Sequence, residues 1–171
     1  YRPLYFYEQC KDTFGGAGIV SNLGVVYQKM DNWEKAWEQF SRFLEISREI
    51  HYREGEIIAC YNLGEMQFVA EDYEQAEHFY LMGLAISEEI EHRSKICRGE
   101  WLLGKVYHAQ GKSEKALEYL TKALVQVQEL HQKDFLLEIH RELSELYEKT
   151  GEYEKTFYHY REYHRIEKAM F

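Results

Sequence analysis

The segment Asn22-Leu23-Gly24 returns forty residues later as Asn62-Leu63-Gly64, and Leu103-Gly104 and Leu143-Ser144 keep the same step. Three residues after each of these small positions stands Tyr27, Gln67, Tyr107 or Tyr147. Further on come Ala36, Ala76, Ala116 and Thr156, and then a large side chain at Phe40, Tyr80, Leu120 and Tyr160. The halves are separated by polar turns, mostly followed by an aromatic: Asp31-Asn32-Trp33, Glu71-Asp72-Tyr73, Gly111-Lys112-Ser113 and Gly151-Glu152-Tyr153. Each unit therefore reads as helix, short turn, helix, and self-similarity at this period is the signature of a repeat architecture.

The order Leu-Gly-x2-Tyr, then Ala-x3-aromatic, resembles the tetratricopeptide repeat, and the resemblance covers roughly residues 17–168. Two departures stand out. The tryptophan that the family places three residues before the Leu-Gly pair is replaced by Val20, Cys60, Glu100 and His140, and the closing proline by Arg48, Glu88 and Gln128. Longer helix pairs follow, similar to the subclass found in kinesin light chain and in bacterial signalling regulators. The resemblance implies an all-α fold, a right-handed α-solenoid of about four antiparallel helix pairs. Residues 1–14 are expected to be the end of a preceding repeat helix or an N-terminal cap, with Leu4 in register with Leu44, Leu84 and Leu124. The repeats are expected at 15–52, 53–92, 93–132 and 133–171, the last with an extended C-terminal helix.

Two helices approach closely only where a side chain is small, so Gly24, Gly64, Gly104 and Ser144 are expected to face Ala36, Ala76, Ala116 and Thr156. Leu23, Leu63, Leu103 and Leu143, with Val26, Met66, Val106 and Leu146, supply the inner stripe, each worth about 1.5 to 3 kcal/mol when fully buried.

Composition narrows the function. Among 171 residues, 45% are apolar and Pro3 is the only proline, so almost nothing forbids helix. Thirty acidic against 21 basic side chains give a formal charge of −9, which works against nucleic acid or an anionic membrane as the main partner. Cys10, Cys60 and Cys97 show no CxxC spacing and suit reduced thiols, which points to the cytoplasm. No apolar run is long enough to span a bilayer. The chain opens on Tyr1 rather than methionine, so a signal or further domain can precede it.

In the family the first helices of successive repeats line a groove, and stepping by forty gives three columns across it. One is Tyr61, Trp101 and Arg141, the second Glu65, Lys105 and Glu145, and the third Phe68, His108 and Glu148. Arg98, Trp101, Lys105 and His108 share one helical face as an aromatic and cationic stripe. That combination suits a protein or peptide segment carrying carboxylate or acidic groups. Asn22 and Asn62 match family asparagines whose amides can hold a ligand backbone. The alternatives are that the Glu65, Lys105, Glu145 column merely neutralises itself and that Trp101 is core. The family's chaperone-tail clamp is not expected, because Ser21, Val25, Trp101 and Lys105 occupy its places and only Asn62 and the charge of Lys105 agree.

No catalysis, cofactor or metal is expected. Gly15-Gly16-Ala17-Gly18 has neither a preceding strand nor a following Lys-Ser/Thr and reads as a flexible helix start rather than a phosphate loop. The eight histidines are scattered, His159 and His164 are five apart, and exposed side chains are expected. The expected function is a protein- or peptide-binding scaffold, the regulatory region of a larger bacterial signalling protein. The run Tyr160-Arg161-Glu162-Tyr163-His164-Arg165 resembles the close of repeat regions that precede diguanylate cyclase-type output domains. The alternatives are a homo-oligomerisation module, pairing through Trp37, Tyr158 and Phe171, or a small-molecule sensor region.

Overall fold

A computed structural model describes the backbone of residues 2–130 and 133–170 and the side chains of residues 15–130 and 135–169. Leu4, Cys10 and Phe171 lie outside the described side chains. The described residues form helices α1 (Arg2–Lys29), α2 (Trp33–Glu49), α3 (Arg53–Val69), α4 (Tyr73–Glu89), α5 (Arg93–Ala109), α6 (Ser113–Leu130), α7 (Lys133–Thr150) and α8 (Tyr153–Met170), with no strand among them. The fold is all-α and repeating. It divides into two compact units, Tyr1–Ile90 with α1 to α4 and Glu91–Phe171 with α5 to α8.

The turns inside the hairpins explain where the helices stop. Asp31, Glu71, Gly111 and Gly151 all take the left-handed conformation. That geometry lets the amides of Asn32, Asp72, Lys112 and Glu152 reach back to the carbonyls of Tyr27, Gln67, Tyr107 and Tyr147 at 2.9 Å, satisfying groups that a helix end leaves unpaired. Only at Gly111 and Gly151 is it adopted without a Cβ penalty. The next helix then starts on a cap: Asn32 accepts from the Lys35 amide at 3.2 Å and Asp72 from the Gln75 amide at 3.1 Å. The glycine-rich stretch 15–18 starts no helix, because α1 runs straight through it, and a Cβ at Gly15, Gly16 or Gly18 would meet nothing.

The small positions also receive a large side chain. A Cβ on Gly24 would lie 2.6 Å from the Phe40 ring, one on Gly64 2.5 Å from the Tyr80 ring, and one on Gly104 2.6 Å from Leu120. Each glycine is thus a socket for the large side chain one turn beyond the alanine, and Ala36, Ala76 and Ala116 are themselves buried. Phe40, Tyr80 and Leu120 are fully enclosed as a result.

The fourth hairpin breaks the rule. Ser144 already carries a Cβ and turns its hydroxyl to the Arg141 carbonyl at 2.9 Å, so the socket is filled. Tyr160 stays outside, and α8 is rolled so that His159, one place earlier, goes in, with Ile166 two turns further on.

The inner stripe holds in three repeats: Leu63, Met66, Leu103, Val106, Leu143 and Leu146 are buried. It does not hold in the first, where Leu23 and Val26 are 40% and 49% exposed. The reason is coverage. Within the first unit α3 packs on both α2 and α4, whereas α1 packs on α2 alone.

Two ion pairs absent from the expected pattern recur in phase. Arg53, opening α3, bonds Glu89 at the end of α4, and Arg93, opening α5, bonds Glu129 at the end of α6. Both are solvent-exposed and screened by water, and so contribute little to stability.

Candidate functional site

Asn22, Tyr61, Asn62, Glu65 and Phe68 lie in the first unit. Tyr61 is core and lines no groove: its ring fills the space above Gly83, where a Cβ would sit 2.4 Å from it, and its hydroxyl lies 3.2 Å from Ser87 Oγ. Glu65 accepts from the Tyr80 hydroxyl at 3.0 Å, so its carboxylate holds the ring that plugs Gly64. Phe68 is half-buried with its ring 5.5 Å from Tyr73, Asn62 is half-buried and Asn22 exposed. Trp37 is half-buried rather than free, and borders a cavity with Trp33, Met66 and Val69.

Arg98, Trp101, Lys105, His108 and Arg141 lie in the second unit, where α5 and α7 touch. Trp101 meets Phe135 of α7 edge-on, centroids 5.4 Å apart, and the Lys105 ammonium stands 5.0 Å from the Trp101 ring centroid, a cation–π contact. The indole N–H of Trp101 is buried with no acceptor among the described residues. His108 Nδ1 lies 3.1 Å from Glu142 Oε2 while Lys149 Nζ lies 2.8 Å from His108 Nε2. An ammonium can only donate, so Nε2 accepts and Nδ1–H donates to Glu142. Burial alone would raise the Glu142 carboxyl, but the His108 hydrogen bond and the charges of Lys105 and Arg141 hold it below the usual range. Arg141 bonds Glu138 and lies 3.8 Å from Glu142.

The forty-residue columns are therefore only partly physical. His108 meets residues 142 and 149, not Glu148, and Lys105 is held by a ring and by the field of Glu142. His108, Glu142 and Glu145 bring three metal-capable atoms within 4.8 Å of one another. Lys149 already occupies the free nitrogen of His108, and Lys105 and Arg141 add positive charge, which opposes a cation there.

Burial of two histidines overturns the expectation that these side chains are exposed. His140 and His159 are enclosed between α7 and α8 with their Nδ1 atoms 2.8 Å apart, and the Tyr147 ring stacks on His159, centroids 5.5 Å apart. His140 occupies the position of Val20, Cys60 and Glu100, all buried, so the family's tryptophan place is core here whatever fills it. Glu100 is satisfied by Gln126 Nε2 at 2.8 Å. Burial pushes the Cys60 and Cys97 thiols up to about 11, so neither is a ready nucleophile.

Paired helices of this length, with sockets at a forty-residue step, match the tetratricopeptide repeat model over residues 17–89 and 96–169. The chain belongs to the tetratricopeptide repeat family. None of the curated proteins compared with it matches. Among solved structures, BtubC (BKLC) from P. vanneervenii is similar at 23% identity and TM-score 0.80, over 90% of this chain and 64% of that one. The apo form of RapI is similar at 21% identity and TM-score 0.85, over 90% and 56%. A Rap protein complexed with competence and sporulation factor is similar at 20% identity and TM-score 0.56, over 95% and 61%. This tetratricopeptide chain thus spans less than two thirds of each of these structures. None of its described helices is long and apolar enough to cross a membrane.

Proposed function

We propose that the chain is a protein- or peptide-binding scaffold and the regulatory region of a larger bacterial signalling protein, preceding a diguanylate cyclase-type output domain. The binding face we assign in the second unit is the α5–α7 strip of Trp101, Lys105, His108 and Arg141. One observation carries this reading: α5 holds a half-buried indole with an ammonium on its face, and α7, in contact with α5, holds an arginine whose side chain is 45% exposed. Such a strip offers apolar area at small entropic cost together with donors for a carboxylate or a peptide carbonyl. The Rap protein solved with competence and sporulation factor supports a binding role for the fold. The cytoplasm is the proposed compartment.

The test is capture from a displayed random-peptide library, followed by affinity of the best peptide for variants. Trp101→Ala and Lys105→Glu are each expected to weaken it about tenfold or more. Equal affinity of both variants would remove this face from consideration.

A homo-oligomer is the second reading, favoured by α1. Ile19, Leu23, Val26 and Met30 form one exposed apolar stripe along it, at positions whose counterparts Ala59, Leu63 and Met66 are buried in α3. Sedimentation is expected to show association that Leu23→Glu with Val26→Glu abolishes; a monomer at every concentration counts against it.

A further inference from the structure

The two faces of α8 are chemically opposite. Inward it turns His159 and Ile166, and outward Tyr153, Phe157 and Tyr160, which are 73%, 66% and 55% exposed. Phe157, Tyr160, Arg161, His164, Arg165 and Lys168 line one shallow groove of about 450 Å³. Their spacing of three, four and seven residues makes a single helical stripe. The Tyr160 and His164 rings meet edge-on at 4.4 Å, which fixes the floor. Among the described residues no carboxylate lines the groove, although the chain as a whole carries −9. Glu162 is spent on Arg165 and Glu167 on His164.

Charge fixes the kind of occupant. Arg161, Arg165 and Lys168 edge the apolar floor, and Glu162 balances Arg165 alone among these three. An apolar floor with a basic edge complements a helix that has apolar side chains on one face and carboxylates beside it.

We propose that the outer face of α8 is a docking seat for an acidic amphipathic helix of a partner protein. Its apolar residues lie on Phe157 and Tyr160, and its carboxylates meet Arg161 and Lys168. The seat is separate from the α5–α7 strip, so either assignment can fail without the other.

The probe is a labelled synthetic helix with leucines at i, i+3, i+4 and i+7 flanked by glutamates, and a counterpart with lysines in their place, both read by fluorescence anisotropy against the whole chain. The glutamate helix is expected to bind and the lysine helix not to. Arg161→Glu with Lys168→Glu, and separately Phe157→Ala, are expected to weaken binding about tenfold, with unchanged circular dichroism because all three side chains are exposed. Trp101→Ala is expected to leave it alone. Equal binding of both helices, no binding of the glutamate helix, or indifference to both sets of substitutions would overturn the proposal. So would binding to phosphatidylserine vesicles without binding to the glutamate helix, which would make the face a membrane contact.

Discussion

Gly64→Val is expected to destabilise the first unit by about 3 kcal/mol. A Cβ there would lie 2.5 Å from the Tyr80 ring and 3.3 Å from the Phe79 Cβ, and Tyr80 has nowhere to go. It is fully buried and its hydroxyl is tethered to Glu65. Overfilling a packed contact forces off-rotamer side chains or spreads the helices, and a β-branched residue adds its own cost in a helix. Set against a total stability of about 5 to 15 kcal/mol, the loss is large. Urea unfolding followed by circular dichroism measures it, with Gly15→Ala as the comparison, since a Cβ there meets nothing and should stabilise α1 slightly. If Gly64→Val unfolds at the urea concentration of the parent chain, the socket description is wrong.

Acid is expected to open the α7–α8 hairpin before the rest of the second unit. With two Nδ1 atoms 2.8 Å apart, one Nδ1–H donates and the other Nδ1 accepts, the accepting ring keeping its own proton on Nε2, and burial favours the neutral form of both rings. Burial, and then the neighbouring His140, push His159 down to about 4, and burial pushes His140 down as well. Glu162 favours the charged forms, while Arg165 opposes charge on His140 and Lys155 opposes it on His159. Unfolded histidine titrates near 6.5, so the folded values are depressed: stability is intact above about pH 6.5 and is lost as pH falls through about 4. The cost over that window is on the order of 2 kcal/mol for the pair. His159→Phe removes the proton site, and its urea midpoint should fall less between about pH 7 and about pH 4.5 than that of the parent chain. Amide exchange should quicken first along α8. Equal slopes for the two proteins would show that the pair contributes nothing.

The repeat was legible because close approach of two backbones admits so few residues: Gly24, Gly64 and Gly104 could only mark crossings. What plugs each crossing was not, because Ala36 and Phe40 lie on the same side of one helix and spacing cannot say which reaches across. Tyr61 and Trp101 hold the same repeat position and looked equivalent. They part because Gly83 opens a space for the Tyr61 ring, whereas Ala123 stands in that place in the next repeat and Trp101 stays half-buried. The glycine was the available signal. The fate of His140 and His159 was hidden for a related reason: in α8 it is His159, and not Tyr160 at the repeat position of Phe40, Tyr80 and Leu120, that points inward. Glu142 and Lys149 were missed because neighbouring first helices meet a few residues out of step with the repeat period.

Every socket in these repeats is closed from within its own hairpin: Phe40 reaches back to Gly24, Tyr80 to Gly64 and Leu120 to Gly104. The tightest contacts are therefore short-range along the chain, the condition under which loop closure costs little and folding is quick. On a ribosome each hairpin can lock as soon as its second helix emerges, so synthesis itself lays the hairpins down in order, each closed before the next is complete.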